Sequence, residues 1–487
     1  MTERCPSCRE RVFFTGSICP NCGCDRDHPP VGAAGEALPP VAAEARDPAS
    51  RPAALWGALA LIVLTICSFL VDWTMVEKGG SIDYRNRVTG MRLLASGADP
   101  YHYKWTTGQP ERFCDPFDNP NMPMSKTTVS PAMLVAGWPW AVLPYPISTA
   151  AWLLAEWAML AGIWLIWFRW SGHTPWSRWW WTALVVGFTY TLTWRHHTEH
   201  GQGYLLWAFL LTVWMRLSLG LNSAKSGWLP GLVAGLLVCL RPPLLLGLGP
   251  FLVLRRRNQW LGAVIGLLLG LGIPALLKPT VWQDYGRAMA TWSTVYRAQT
   301  EPLPGKRAFP PTIEGVPTDN FLHLDVIQIV DSSWYRLCRF WGWREISDKA
   351  MLAVLGLGFG LWLWASRKAG DAAFMLGIAA WSFLADAFLP AYRYPYGDVM
   401  ILNTMALIPV ACRFRGVSHG LALLAVLLGI WIVNSVNSVH QPEGWWTYRL
   451  ERWWIYLPTL GLAVLALLAL YQSAAARAGK SNPPSAC

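Results

Sequence analysis

The sequence predicts an all-α polytopic membrane protein of about twelve transmembrane helices, with a small cysteine-rich domain at its N-terminus. Three observations predict it. The chain is 53% hydrophobic and only 14% charged, against ~25% charged in a soluble protein. Apolar runs recur from Ala53 to Tyr471, most of them near the ~20 residues needed to cross a bilayer. Basic residues gather in the short loops between those runs, as the positive-inside rule demands. That placement accounts for the formal charge of +11 and leaves no reason to invoke nucleic acid as a partner. Interfacial anchoring accounts for many of the 32 tryptophans. The first fifty residues are soluble in character and carry cysteines, so no cleavable signal peptide is expected.

The N-terminal domain is expected over residues 1–27. Cys5, Cys8, Cys19 and Cys22 form two C-x2-C knuckles separated by ten residues. Each knuckle can present two thiolates to one tetrahedral zinc ion, and a closed shell of four leaves no room for water. The zinc is therefore expected to be structural. A disulfide or redox pair is the alternative, and Cys24 is a spare thiol beside the second knuckle. Free thiolates require a reducing compartment, which puts this end in the cytosol. Residues 28–52 are rich in Pro, Ala and Gly and read as a flexible tether.

The transmembrane domain is expected over 53–475, followed by a cytosolic tail over 476–487. Candidate spans are 53–76, 148–168, 179–194, 203–217, 228–240, 242–254, 259–277, 348–366, 371–389, 396–412, 418–436 and 454–471. With both termini inside, the basic loops Arg169–Arg178, Arg216–Lys225, Arg255–Arg257, Arg367–Lys368 and Arg413–Arg415 all fall on the cytosolic side of the cell (inner) membrane. The apolar segment from Ser130 to Pro146 breaks that parity and contains Pro139 and Pro144. It reads as a re-entrant or interfacial helix on the outer face. The long outer loops are then 77–147 and 278–347.

The polar chemistry concentrates on that outer face. Asp83 follows the first span closely, with Arg85 and Arg87 beside it. A carboxylate there can act as general base, and neighbouring arginines can hold a phosphate. A solvated aspartate capping a helix is the plainer alternative. The stretch R-H-H-T-E-H-G-Q, read as a loop, supplies His196, His197, His200 and Gln202, suited to a metal, a phosphate or sugar hydroxyls. It is not H-E-x-x-H, so a zinc protease has no support. Arg241 interrupts an apolar run, which calls for a lipid phosphate, an ion pair or snorkelling. Arg393 and Tyr394 lie in the outer loop A-Y-R-Y-P-Y-G-D, where an aromatic belt would explain the tyrosines as well. Cys114 and Cys338 are both placed outside, where they can pair.

The order of these elements resembles glycosyltransferase family 87, membrane enzymes of the GT-C fold, mannosyltransferase-like, that use polyprenyl-phosphate sugars. The resemblance covers about residues 53–470. A first span and an aspartate loop lead to a G-x-x-P-Y element, here Gly97 to Tyr101. The family's Y-P-P is replaced by Val129-Ser130-Pro131. Its G-Q-x-N appears as Gly201-Gln202-Gly203-Tyr204, and its K-P as Arg241-Pro242. The resemblance implies a polyprenyl-phosphate hexose donor, a lipid or glycan acceptor, Asp83 as general base and no obligatory catalytic metal. It places Tyr101 and Gln202 with the arginines and histidines as substrate contacts. Inverting transfer follows from a single displacement with one base. The rival readings are a polyprenyl-lipid transporter or flippase, and a membrane assembly protein whose ribbon docks a cytosolic partner.

Overall fold

The computed structural model describes residues 3–4, 11–12, 50–78, 80–103, 105–115, 127–170, 175–220, 228–245, 248, 259–299, 312–313, 316–317, 347–366, 371–388 and 395–411. Cys5, Cys8, Cys19 and Cys22, Cys338, Arg393 and Tyr394, and the expected spans 418–436 and 454–471 lie outside the described residues, as does most of 242–254. Two short strands, β1 (Glu3–Arg4) and β2 (Arg11–Val12), pair antiparallel on either side of the first cysteine knuckle. A second small hairpin joins β3 (Thr312–Ile313) to β4 (Val316–Pro317).

The rest is helical. In chain order the helices are α1 (Ser50–Glu77), α2 (Ile82–Ala95), α3 (Pro131–Ala136), α4 (Trp138–Ala141), α5 (Tyr145–Trp170), α6 (Pro175–Phe188), α7 (Leu192–His200), α8 (Tyr204–Gly220), α9 (Trp228–Leu240), α10 (Trp260–Leu277), α11 (Val281–Gln299), α12 (Asp348–Ser366), α13 (Asp371–Phe388) and α14 (Ile401–Ala411). Among the described residues, three stretches are long and apolar enough to cross a membrane: Leu55–Glu77, Tyr145–Arg169 and Trp260–Leu277. Shorter apolar helices run over Tyr204–Ser218, Trp228–Leu240 and Lys349–Gly360. Side chains along α1 and α10 such as Ile62, Ile66, Leu261 and Leu268 stay exposed. That is how a helix meets hydrocarbon when its own backbone is satisfied internally.

The core lies where α5, α6, α7, α8, α9, α13 and α14 meet, around the buried indoles Trp167, Trp194 and Trp214. Asn403 on α14 is completely buried, and both ends of its side-chain amide are hydrogen-bonded. Its Oδ1 accepts from Trp167 Nε1 at 3.1 Å and from the Thr212 hydroxyl at 2.5 Å, and its amide donates to the Ala208 carbonyl at 2.9 Å. One amide thus ties α14 to α5 and α8. Helices α9 and α10 touch backbone to backbone. A Cβ at Gly231 or Gly235 would overlap the α10 main chain, and one at Gly262 or Gly266 would overlap that of α9. Small residues four apart on both helices permit this close approach.

Two expectations change. The span 179–194 is not one helix: α6 stops at Phe188 and α7 starts after Thr191. The Thr191 hydroxyl accepts from the Trp194 N–H at 3.1 Å, an N-cap that begins a new helix. The segment read as the loop 195–202 is therefore helical through His200 and ends at Gly201, whose φ of 64° terminates it. The stretch from Ser130 to Pro146 forms two short helices broken at Gly137, then enters α5 at Tyr145.

Candidate active site

The site begins where α1 hands over to α2. A Cβ on Gly80 would crowd the carbonyls of Met75 and Glu199. Ser81 follows with φ 65°, and its N–H donates to the Glu199 carbonyl. The end of α7 is thereby clipped to the start of α2. Asp83 lies in the first turn of α2, where the helix dipole favours a carboxylate.

Tyr84, fully buried, fixes the rotation of α2. Its ring stacks on Trp152 of α5 at 5.0 Å and its hydroxyl shares a 2.9 Å hydrogen bond with Ser148. Asp83 and Arg87, four residues apart, then share one helix face. Gln202 stands between them. Its Nε2 donates to Asp83 Oδ2 and its Oε1 accepts from Arg87 Nη2 at 2.5 Å. Arg87 Nη1 also donates to the Gly201 carbonyl at 2.8 Å. Asp83 is half-buried, and among the described residues its Oδ1 takes no hydrogen bond.

Arg87 and Tyr84 form one wall of a cavity of about 490 Å³. The remaining walls are apolar and come from α3, α4, α5, α8, α9 and α10, with Met133, Trp152, Phe209 and Leu240 among them. A guanidinium at the head of a greasy slot suits an amphipathic anion.

Arg241 lies in extended backbone just beyond α9. It pairs with Asp386 of α13, accounting for its burial, and its guanidinium covers the rings of Tyr204 at 5.2 Å and Trp207 at 4.8 Å. Tyr204 leads on to Tyr396 (5.7 Å) and Tyr396 to His200 (5.9 Å). This aromatic chain runs from Arg241 to the end of α7.

Arg85, Tyr101 and His197, expected as substrate contacts, are held in internal contacts, and Asp99 makes the turn expected of it. Arg85 is buried and engaged inward, with Asp115 at 2.9 Å and the Gly80 carbonyl. Tyr101 is fully buried in a separate cluster with Met91, Leu94 and Val281, its hydroxyl donating to the Val129 carbonyl at 3.2 Å. Asp99 forms the turn before Pro100, accepting from the Tyr101 N–H at 2.9 Å and facing His102 at 3.2 Å. Burial works to raise its pKa, but these hydrogen bonds prevail and hold it below the usual carboxylate range. His197 is completely buried. Its Nε2 accepts from the Leu205 N–H at 3.2 Å, so its proton sits on Nδ1, 3.3 Å from Glu156 Oε1. Burial first, then the charges of Arg87 and His200, depresses its pKa to about 3. This histidine braces the start of α8 as a neutral ring.

Three acids within apolar helices drew no expectation from the sequence. Asp72 in α1 is fully buried. It accepts from Trp194 Nε1 at 2.9 Å, Trp157 Nε1 at 3.1 Å and the Thr198 hydroxyl at 3.2 Å, and pairs with Arg195. Glu156 faces His197, and Asp386 faces Arg241. Each is an isolated carboxylate in a greasy run, a signal that marks a paired or working group.

The sequence model of Glycosyltransferase family 87 matches residues 128–389, more than half of the chain. The chain belongs to glycosyltransferase family 87. It is accordingly a membrane glycosyltransferase, which binds a sugar donor and an acceptor. The match is narrower than the expected 53–470: it holds Gln202, Arg241, Asp386 and the α7 histidines, while Asp83 and the turn at Asp99 precede it. No curated protein and no solved structure gave a match.

Proposed function

We propose that this family 87 enzyme moves a hexose, with mannose the leading candidate, from a polyprenyl-phosphate donor to a lipid or glycan acceptor on the extracytoplasmic face. The observation that carries the proposal is the hydrogen-bonded chain Asp83–Gln202–Arg87, whose arginine lines the apolar cavity. The slot suits a polyprenyl tail, and Arg87 at its head suits the phosphate.

In this reaction the acceptor hydroxyl attacks the anomeric carbon while its proton passes to Asp83 Oδ1. The bond from C1 to the phosphate oxygen breaks, polyprenyl phosphate leaves with the electron pair, and the anomeric configuration inverts. Gln202 keeps the carboxylate aimed, leaving one oxygen to work as base. Arg87 faces the charge that grows on the leaving phosphate. Arg241, neutralised by Asp386, supports the aromatic chain that borders the sugar. Arg85 acts as a brace for the α1–α2 turn, and Arg393 and Tyr394 are proposed as further contacts from the outer loop. The N-terminal cysteines hold a structural zinc in the cytosol, available to a protein partner, and both termini are cytosolic.

The test is incubation of the purified protein with labelled polyprenyl-phosphate hexose and candidate acceptors. Transfer of label supports the reading. Movement of the intact lipid across a vesicle bilayer without any transfer would instead identify a flippase.

A further inference from the structure

We propose that His196, Glu199 and His200 form a site for a divalent transition-metal ion of the zinc type at the end of α7, distinct from the N-terminal cysteine site. Their candidate ligand atoms all lie within 4.8 Å of one another, and all three residues are half-buried. The spacing i, i+3, i+4 puts them on one helix face. Two histidines four apart are how helical zinc sites present imidazoles.

Three details favour an ion over a simple side-chain pair. His196 Nδ1 lies 3.4 Å from Glu199 Oε2. A charge-assisted hydrogen bond would close to about 2.7–2.9 Å. The edge of a tetrahedron with ligands at ~2.0–2.1 Å is about 3.3 Å. The observed separation is close to that edge, and the His200 donor lies within 4.8 Å of both, near enough to close on one ion.

His200 Nδ1 lies 2.9 Å from the His196 carbonyl. A carbonyl only accepts, so Nδ1 carries the proton and Nε2 keeps its lone pair. That is how metal-binding histidines are oriented by their second nitrogen.

The site also occupies the last turn of α7, where the helix dipole is negative and stabilises a cation. Two imidazole nitrogens and one carboxylate oxygen are a zinc-type donor set with a fourth position for water or an anionic oxygen. The Glu199 carbonyl accepts from the Ser81 N–H, so an ion here would stiffen the junction on which α2 starts. The binding site itself does not depend on what reaction the enzyme performs.

The experiment uses the full chain with Cys5, Cys8, Cys19 and Cys22 replaced by serine, stripped with chelator and loaded with zinc or cobalt(II) alone. One equivalent of metal is expected to remain per chain, and cobalt should give a d–d spectrum without thiolate charge transfer. Adding His196→Ala and His200→Ala should abolish that equivalent. Glu199→Gln, which keeps shape and fold, should weaken affinity by at least the ~10–100-fold seen for loss of a supporting partner. Zinc should raise the thermal midpoint of the four-serine protein but not that of its histidine variant. Failure of the four-serine protein to retain metal, or retention unchanged by the histidine and glutamate substitutions, overturns the proposal. Neither result bears on whether sugar is transferred.

Discussion

The side-chain amide of Gln202 donates to Asp83 Oδ2, joining residues 119 positions apart in the chain. The same amide receives Arg87, so one side chain sets both the orientation of the carboxylate and its distance from the guanidinium. Replacing Gln202 by methionine removes both bonds at nearly constant volume. Transfer should fall about 10- to 100-fold, the scale of an ångström-level misplacement of a reacting group. The effect should appear in kcat more than in KM, measured with labelled donor at saturating acceptor.

Asp72 and Arg195 make a second prediction. Asp72 is fully buried and holds Arg195, Trp157 and Trp194. Asp72→Ala leaves a cation unpaired and should cost about 3–5 kcal/mol, as breaking one side of a buried pair does. Adding Arg195→Met should restore a large part. Thermal unfolding of the single and double variants in detergent measures the coupling.

His197 makes a third. Its pKa is depressed to about 3 in the folded chain, against an ordinary value near 6.5 when unfolded. Between those values the unfolded chain binds the extra proton, so stability is lost as pH falls below about 6.5. From there to pH 5 the loss should be about 2 kcal/mol, at 1.36 kcal/mol per unit. Glu156, Arg87 and His200 are the ionisable groups around the ring. His197→Gln should flatten this part of the stability–pH profile, read from unfolding midpoints between pH 7 and 5.

Gly235 makes a fourth. A Cβ there would overlap the carbonyl of Ala263 on α10. Gly235→Val should force α9 and α10 apart and sharply reduce the yield of folded protein, assayed by monodispersity after extraction. Gly187→Ala, where nothing lies within contact of the new methyl, is the matched control and should behave as wild type.

The membrane class was legible because it rests on local composition, and chain order alone sets Asp83 just past the first long helix. Asp83 and Arg87 were even spaced to share a helix face. The break between α6 and α7 was hidden, because T-Y-T-L-T reads as a continuing apolar run and the Thr191 cap becomes visible only once its hydroxyl meets the Trp194 N–H. Pairing was hidden for a different reason. Asp386 and Arg241 lie 145 residues apart and Asp72 and Arg195 lie 123 apart, distances over which a single sequence carries no pairing signal. The isolated acids themselves were visible, and the expense of a lone carboxylate in hydrocarbon would have flagged each one. Arg85 was expected at the phosphate because it neighbours Asp83. The helix turns it away instead, toward Asp115.

In the proposed reaction Asp83 removes the proton from the acceptor. The most direct measurement compares sugar transfer by the wild type and by Asp83→Asn, reconstituted at equal concentration with labelled polyprenyl-phosphate hexose. A loss of at least about 100-fold is expected, the lower end for a general base, with donor binding and the thermal midpoint near wild type. Transfer at the wild-type rate by the asparagine variant would contradict it.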